Sequence, residues 1–403
     1  MTIEIDGGYL VVLAVVVWFA GTYINKKLSF LESYSIPVAV TGGLLCSLTT
    51  AAIFYAFDTT ISFDTGLRDL LLLVFFSTIG LSAKISLLRE GGRALLILLL
   101  AAGVLLILQN STGVLLATVL GAHPGYGLFG GSVSLAGGHG TAIAWGAVAE
   151  AAGLAGAKEI GIAFATFGLI AGGLIGGPIA ERLIARHKLC DGEERAAGGE
   201  LAAAAAPIQP QFMPPMAASL TTLMLLAICV EAGALVNQFL FAKGVTLPGF
   251  LTAMLVGIVI ANVADVLKFQ LDPVSRERAS EFSLQLFLAI SLMSMQLWVL
   301  ASAVGAILLI LFTQMTLIAL FASFVVFRLM GRDYDAAVIA AGFAGLGMGA
   351  TPVGIANMNA VTTKYGPSPK AFLIVPLVGA FFLDLLNAVV IKTFLDFPMM
   401  QMP

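Results

Sequence analysis

Apolar stretches long enough to cross a bilayer recur along nearly the whole chain, parted by short charged breaks. A helix of about 20 apolar residues spans the hydrocarbon core. Spans are expected near 7–24, 34–57, 67–84, 94–120 and 158–184, then near 216–241, 246–267, 280–300, 303–329 and 369–395. That makes ten spans in two sets of five. Lipid offers backbone groups no hydrogen bonds, so each span must be a helix. The chain is 59% hydrophobic and 11% charged, against about 25% charged in soluble domains. Lipid must therefore be the solvent. A net charge of −3 gives no reason to expect nucleic acid. Cys46, Cys190 and Cys229 form no metal spacing and no disulfide framework. His123, His139 and His187 lie far apart, which argues against a histidine metal site. The start "MTIEIDGGYL" is acidic, and Lys26 and Lys27 follow the apolar run. A signal peptide has the opposite order, so residues 9–24 read as a retained membrane helix.

Lysine and arginine set the orientation. With the N-terminus outside, the inner side collects Lys26, Lys27, Lys84, Arg89, Arg93, Arg182, Arg186, Lys188, Arg195, Lys268, Arg276, Arg278, Arg328 and Arg332. The outer side keeps Arg68, Lys158, Lys243 and Lys392. The count holds only if two weaker apolar stretches, 124–150 and 334–362, enter and leave on one side. The polar segment 190–215 reads as a flexible cytoplasmic linker.

The two halves also resemble each other at an offset near 210 residues. "SIPVAVTGGLL" (35–45) matches "TLPGFLTAMLV" (246–256), "TIGLSAKI" (78–85) matches "ISLMSMQL" (290–297), and "LAGGHGTA" (135–142) matches "FAGLGMGATP" (343–352). Five spans is an odd number, so the second copy must be inverted. The expected fold is an all-α polytopic membrane protein of two inverted repeats of five transmembrane helices, each with a re-entrant hairpin. Residues 1–186 form the first repeat with hairpin 124–150. The linker is 187–215, and residues 216–403 form the second repeat with hairpin 334–362.

The stretch "GSVSLAGGHGTAIAWGAV" (131–148) is apolar enough for lipid, yet too loose for a good helix. Irregular backbone at membrane depth is tolerated only inside protein or beside a water-filled cavity. Gly137, Gly138 and Gly140 in the first stretch, and Gly345, Gly347 and Gly349 in the second, would place two tips near the midplane. There, N–H groups and helix N-termini can hold an anion and freed carbonyls a cation. The alternative reading is close helix packing by small residues, which suffices for "GLIAGGLIGGP" (168–178).

With "LAGGHGTA" and "GLGMGATP" go "FFSTIGLSAKI" (75–85), "LIGGPIA" (174–180), "GIANMNAVT" (354–362), "YGPSPKAFLIVP" (365–376) and "GAFFLDLLNAVVIK" (379–392). Together these resemble the sodium/glutamate symporter family over nearly all of the chain except the linker and the first few residues. The resemblance implies Na⁺-coupled uptake of glutamate, with Na⁺ as coupling ion and no organic cofactor. It also implies a homodimer in a bacterial inner membrane, moving a transport domain against a scaffold by an elevator-type mechanism. Both termini would lie outside.

Within that frame, Asp384 and Asn387 are expected as Na⁺ ligands or as a counter-charge for the substrate ammonium, since an acid inside a span is costly and usually functional. The alternative for Asp384 is a neutral carboxyl bonded between helices. Ser77, Thr78, Ser82 and Gln109 are further Na⁺ candidates, and hydroxyl back-bonding to the helix is the alternative for the first three. Asn110 sits beside Gln109 mid-span. Glu231, mid-span in the sixth helix, is expected to pair across helices. Ser132, Ser134, Gly137, Gly138, His139, Gly140 and Thr141 are expected to bind substrate at the first tip, with Gly347, Gly349, Thr351, Asn357 and Asn359 at the second. His139 equally fits a structural donor holding its tip. Neither hairpin core holds Arg or Lys. An amino dicarboxylate would then be held by backbone N–H groups, hydroxyls, amides and bound Na⁺.

Enzyme chemistry fails on its parts. "RDYD" (332–335) before "GLGMG" suggests an intramembrane aspartyl protease, but Met348 stands where the second acid is needed. There is no HExxH. A channel is the distant alternative, and an internal inverted repeat favours alternating access instead. Among transporters, a Na⁺- or H⁺-coupled symporter of another carboxylate such as citrate is the runner-up.

Overall fold

The protein is described by a computed structural model that covers residues 2–28, 31, 37–64, 66–189, 216–243, 247–269, 271–294 and 304–400. The linker 190–215 and the end of the span expected at 280–300 lie outside the described residues. A short parallel pair, β1 (Thr2–Ile5) with β2 (Thr60–Phe63), joins Thr2 to Thr60 in register. The rest is helical. In chain order the helices begin α1 (Gly7–Lys27), α2 (Val38–Phe57), α3 (Gly66–Ser82) and α4 (Ser86–Val119). Then come α5 (Pro124–Phe129), α6 (Ser132–Leu135), α7 (Gly138–Ala151), α8 (Ala157–His187), α9 (Met216–Ala242), α10 (Gly249–Val266) and α11 (Pro273–Met293). α12 (Val304–Phe321) runs through a π-helical turn, Ala322–Val326, into α13 (Phe327–Leu329). After α14 (Tyr334–Met348) and α15 (Thr351–Tyr365), α16 (Pro369–Leu377) runs through a second π turn, Val378–Phe382, into α17 (Leu383–Leu395).

Each expected span is helical over its described residues apart from short ends, and six helices are long and apolar enough to cross a membrane by length and composition. This is an all-α polytopic membrane protein. α3 is short at 17 residues. α11 opens on the polar sequence PVSRERASEF, so its apolar part is only its second half. The two weaker stretches are both broken. Residues 124–151 form three short helices, interrupted at Gly130–Gly131 and at Ala136–Gly137. In residues 334–365 the break is at Gly349–Ala350, and α15 doubles back along α14. A Cβ on Gly345 would lie 2.7 Å from Gly354 N, and one on Gly342 would lie 2.8 Å from Met358 Cγ.

The chain folds as two compact units, each drawing on both halves of the sequence. Unit 1 is Met1–Ser86 with Pro214–Ser302, and holds α1–α3 and α9–α11. Its helices cross through small residues, as intramembrane helices do without a hydrophobic drive to associate. A Cβ on Gly42 of α2 would strike the Val17 carbonyl of α1, and one on Gly233 of α9 would stand 2.6 Å from Ala253 Cα of α10. These two crossings match at the offset near 210 found in the sequence. The end of α3 is clamped by α10 and α11. Asn262 Nδ2 donates to Ala83 O at 2.9 Å, its Oδ1 accepts from Ile85 N at 2.8 Å, and Arg276 donates to Leu81 O at 3.2 Å. Glu231 does not pair across helices. It is exposed on α9, with no ion pair among the described residues, because the helix face that carries it packs against nothing in this unit.

Unit 2 is Leu87–Met213 with Ala303–Pro403, and holds the remaining helices. α14 is its core. Residues 336–349 are all buried, as expected for a helix apolar all round. The glycines of "GLIAGGLIGGP" do pack here. Gly168, Gly172 and Gly176 repeat every four residues on one face of α8. A Cβ on Gly168 would strike the Met348 carbonyl, one on Gly172 would lie 3.1 Å from Met348 Cβ, and one on Gly176 would strike the Asn357 amide.

Candidate functional site

Both broken stretches lie in unit 2, and their breaks meet. Gly138 opens α7 with φ +67°, a left-handed conformation that glycine adopts without strain. A Cβ there would stand 3.5 Å from Gly349 O, at the break between α14 and α15.

Polar side chains from three long helices hold the breaks open. Ser132, the first residue of α6, donates its N–H to Asn110 Oδ1 of α4 at 2.8 Å. Its hydroxyl donates to Asn387 Oδ1 of α17 at 2.6 Å, and Asn387 Nδ2 donates back to Ser132 O at 3.0 Å. Gln109 Nε2 donates to Gly347 O at 2.8 Å, just ahead of the second break. Gln314 of α12 donates to Gly130 O at 3.0 Å, at the first break, and to Gln109 O at 2.7 Å. Each mid-span glutamine therefore anchors the break belonging to the other half of the chain. Both are wholly buried.

This network leaves a characteristic remainder. Gln109 Oε1, Gln314 Oε1, Asn110 Nδ2 and Ser134 Oγ are buried with no hydrogen-bond partner among the described residues. Each such group costs about 1–3 kcal/mol if nothing completes it. The amide nitrogens of both glutamines are committed to backbone carbonyls, which fixes their oxygens as the free ends. Two neutral oxygens suit a hard cation such as Na⁺. An amide N–H and a hydroxyl suit a carboxylate. Among the described residues no cluster of three or more His, Cys, Asp or Glu offers a site for a more demanding metal. Asp384 lies one turn before Asn387 on α17, directly after the π turn. It is half-buried and makes no hydrogen bond or ion pair among the described residues. π turns recur at functional sites, where they re-aim side chains.

The other expected site residues divide. His139 is buried, with Nε2 3.0 Å from Thr166 Oγ1. The Thr166 hydroxyl donates to Ile162 O at 2.9 Å, so its one proton is used and it accepts from His139. Thr141 is buried one turn beyond Gly137, and Gly140 is buried between them. A Cβ on Gly379 of the π turn would strike Thr351 Oγ1, which sets that hydroxyl beside the start of α17. Asn357 donates to Gly172 O at 2.9 Å and to Ala341 O at 3.3 Å, tying α15 to α8 and α14. Asn359, two residues on, is exposed on another face of α15. Ser77, Thr78 and Ser82 belong to unit 1, where their hydroxyls donate to Leu73 O, Phe75 O and Thr78 O of their own helix. Sequence reasoning missed Gln314. Its signal was a lone amide in the apolar run "LLILFTQMTLIALF", 205 residues after Gln109.

Comparison with known proteins bears on the same stretches. The sodium/glutamate symporter family matches residues 3–367. The sodium/glutamate symporter of Escherichia coli K12 is 42% identical over 392 residues, 96% of each chain. That of Haemophilus influenzae is 40% identical over 385 residues, 94% of this chain and 95% of its own. No solved structure matches the chain. At this identity and coverage, on a multi-pass helical membrane protein whose two glycine breaks meet among buried amides, the chain belongs to the sodium/glutamate symporter family.

Proposed function

We propose that this protein carries out Na⁺-coupled uptake of glutamate, binding both solutes where the two breaks meet in unit 2. One observation carries the reading. Four buried polar atoms beside the breaks lack partners among the described residues, two of them acceptors and two donors. That is the complement of a cation together with a carboxylate. Asp384 and Asn387 join Gln109 on the cation side, with the charge of Asp384 balancing Na⁺ or the substrate ammonium. Ser132, Ser134, Gly137, Gly138, Gly140 and Thr141 from the first stretch, with Gly347, Gly349 and Thr351 from the second, line the substrate. His139 and Asn357 hold the breaks in shape. The site is drawn from unit 2, where the unpartnered atoms beside the breaks lie, and Ser77, Thr78 and Ser82 of unit 1 are left out of it.

The finer architecture is part of the same proposal. The matched crossings of unit 1 and the crossed glutamines of unit 2 support two inverted five-helix repeats, with 124–150 and 334–362 as re-entrant hairpins. Unit 2 is then the transport domain and unit 1 the scaffold of an elevator mechanism, working as a homodimer in a bacterial inner membrane. The termini lie outside and the linker in the cytoplasm. Na⁺ fills the acceptor oxygens and orders the breaks, glutamate completes the donors, and the loaded domain moves. Coupling requires each solute to favour the other's binding. The test is labelled glutamate uptake into proteoliposomes under separately imposed Na⁺, K⁺ and pH gradients. Uphill accumulation driven by Na⁺ alone supports the reading. Accumulation driven by pH alone, or equilibration without any gradient, excludes it.

A further inference from the structure

A second site lies in unit 2, away from the breaks. A groove of about 560 Å³ runs along α8 and the α12–α13 segment. Its apolar lining includes buried Ile179 and the half-exposed ring of Phe324. Four exposed arginines also line it, Arg182 and Arg186 near the end of α8 and Arg328 and Arg332 after the π turn. Among the described residues no carboxylate lines it. The nearest acids in sequence are engaged elsewhere. Glu181 accepts from Lys364 at 2.7 Å, while Asp333 caps α14 through Ala336 N at 2.7 Å and faces Lys370 at 3.9 Å. None of the four arginines has an ion-pair partner among the described residues. Arg328 is held over the Phe324 ring at 5.6 Å, its guanidinium against the apolar wall.

We propose that this groove binds an anionic phospholipid, with its phosphate among the four arginines and its acyl chain along the apolar wall. Four cations without counter-charges call for an anion, and guanidinium pairs bidentately with phosphate. An apolar wall beside them calls for a chain attached to that anion. Basic pockets between transmembrane helices recognise acidic head groups on this basis. A soluble phosphate would use the arginines and leave the wall bare.

The test titrates the full-length protein in detergent with dioleoylphosphatidylglycerol and, separately, dioleoylphosphatidylcholine, read by native mass spectrometry. The wild type is expected to prefer phosphatidylglycerol. Arg186→Gln is expected to weaken that lipid about fivefold, the effect of one basic residue near a headgroup. Replacing all four arginines by glutamine is expected to abolish the preference, and replacing them by lysine to retain most of it, which guards against a misfolded glutamine variant. Equal binding of the two lipids by the wild type would overturn the proposal. So would competition by glycerol 3-phosphate at the same concentration as lipid.

Discussion

The bond pair between Ser132 and Asn387 joins the first break to the last helix, and a double-mutant cycle measures it. Ser132→Ala removes one buried hydrogen bond, the 2.6 Å hydroxyl contact, at a net cost of about 1 kcal/mol. Asn387→Ala removes both bonds and leaves the Ser132 hydroxyl buried without a partner, while the Ser132 carbonyl keeps its bonds from Ala136 N and Gly137 N. Two bonds at about 1 kcal/mol each, plus about 1–3 kcal/mol for the orphaned hydroxyl, give about 3–5 kcal/mol. In the double variant the orphaned hydroxyl is gone. Its loss should therefore fall short of the sum of the singles by about 2 kcal/mol or more, the shared bond counted in both singles plus the orphan penalty. The assay is unfolding of the purified protein in detergent, followed by circular dichroism, without Na⁺ and then at saturating Na⁺. Strict additivity would refute the contact. An Asn387→Ala variant as stable as the wild type would refute the claim that this amide holds the break.

Asp384→Asn is expected to abolish or sharply weaken Na⁺-driven glutamate uptake at normal expression, and wild-type uptake in that variant would remove Asp384 from the site. Gly138→Ala forces a Cβ into the left-handed region beside Gly349 O, at a cost of about 1–2 kcal/mol. Its apparent melting temperature and its uptake should both fall, whereas Gly177→Ala, whose Cβ would meet open space, should leave the melting temperature within about a degree or two of wild type. Gln314→Met takes the donor from Gly130 O and Gln109 O, so it should lose about 2–3 kcal/mol together with the extra stability that Na⁺ confers. Retention of the full Na⁺ response would show that the Gln314 oxygen is not a ligand.

The membrane architecture was legible because bilayer thickness imposes a length that apolar runs repeat. The boundary of α9 at Met216 and those of α12–α13 at 304–329 lie within a residue of the expected spans. The broken stretches were legible for a related reason, since glycine clusters in apolar sequence mark backbone that a plain helix would not need. What stayed hidden was pairing. Ser132 and Asn387 are 255 residues apart, and Gln109 and Gly347 are 238 apart. Nothing local in "LLILQNSTG" says that one amide reaches the other half's break while its neighbour holds its own. Division by compactness was hidden likewise, because each unit is assembled from both halves. Ser77, Thr78 and Ser82 have the chemistry of cation ligands, and the structure shows the helix back-bonding that their sequence also allowed, which leaves the lone pairs of their oxygens unspent.

Reciprocal binding tests the central claim most directly. Calorimetric titration would measure glutamate binding with and without Na⁺, then Na⁺ binding with and without glutamate, in wild type and in Asp384→Asn. The account predicts that each solute tightens the other by the same factor in the wild type, and that the factor collapses toward one in the variant. Glutamate affinity indifferent to Na⁺ in the wild type would contradict it.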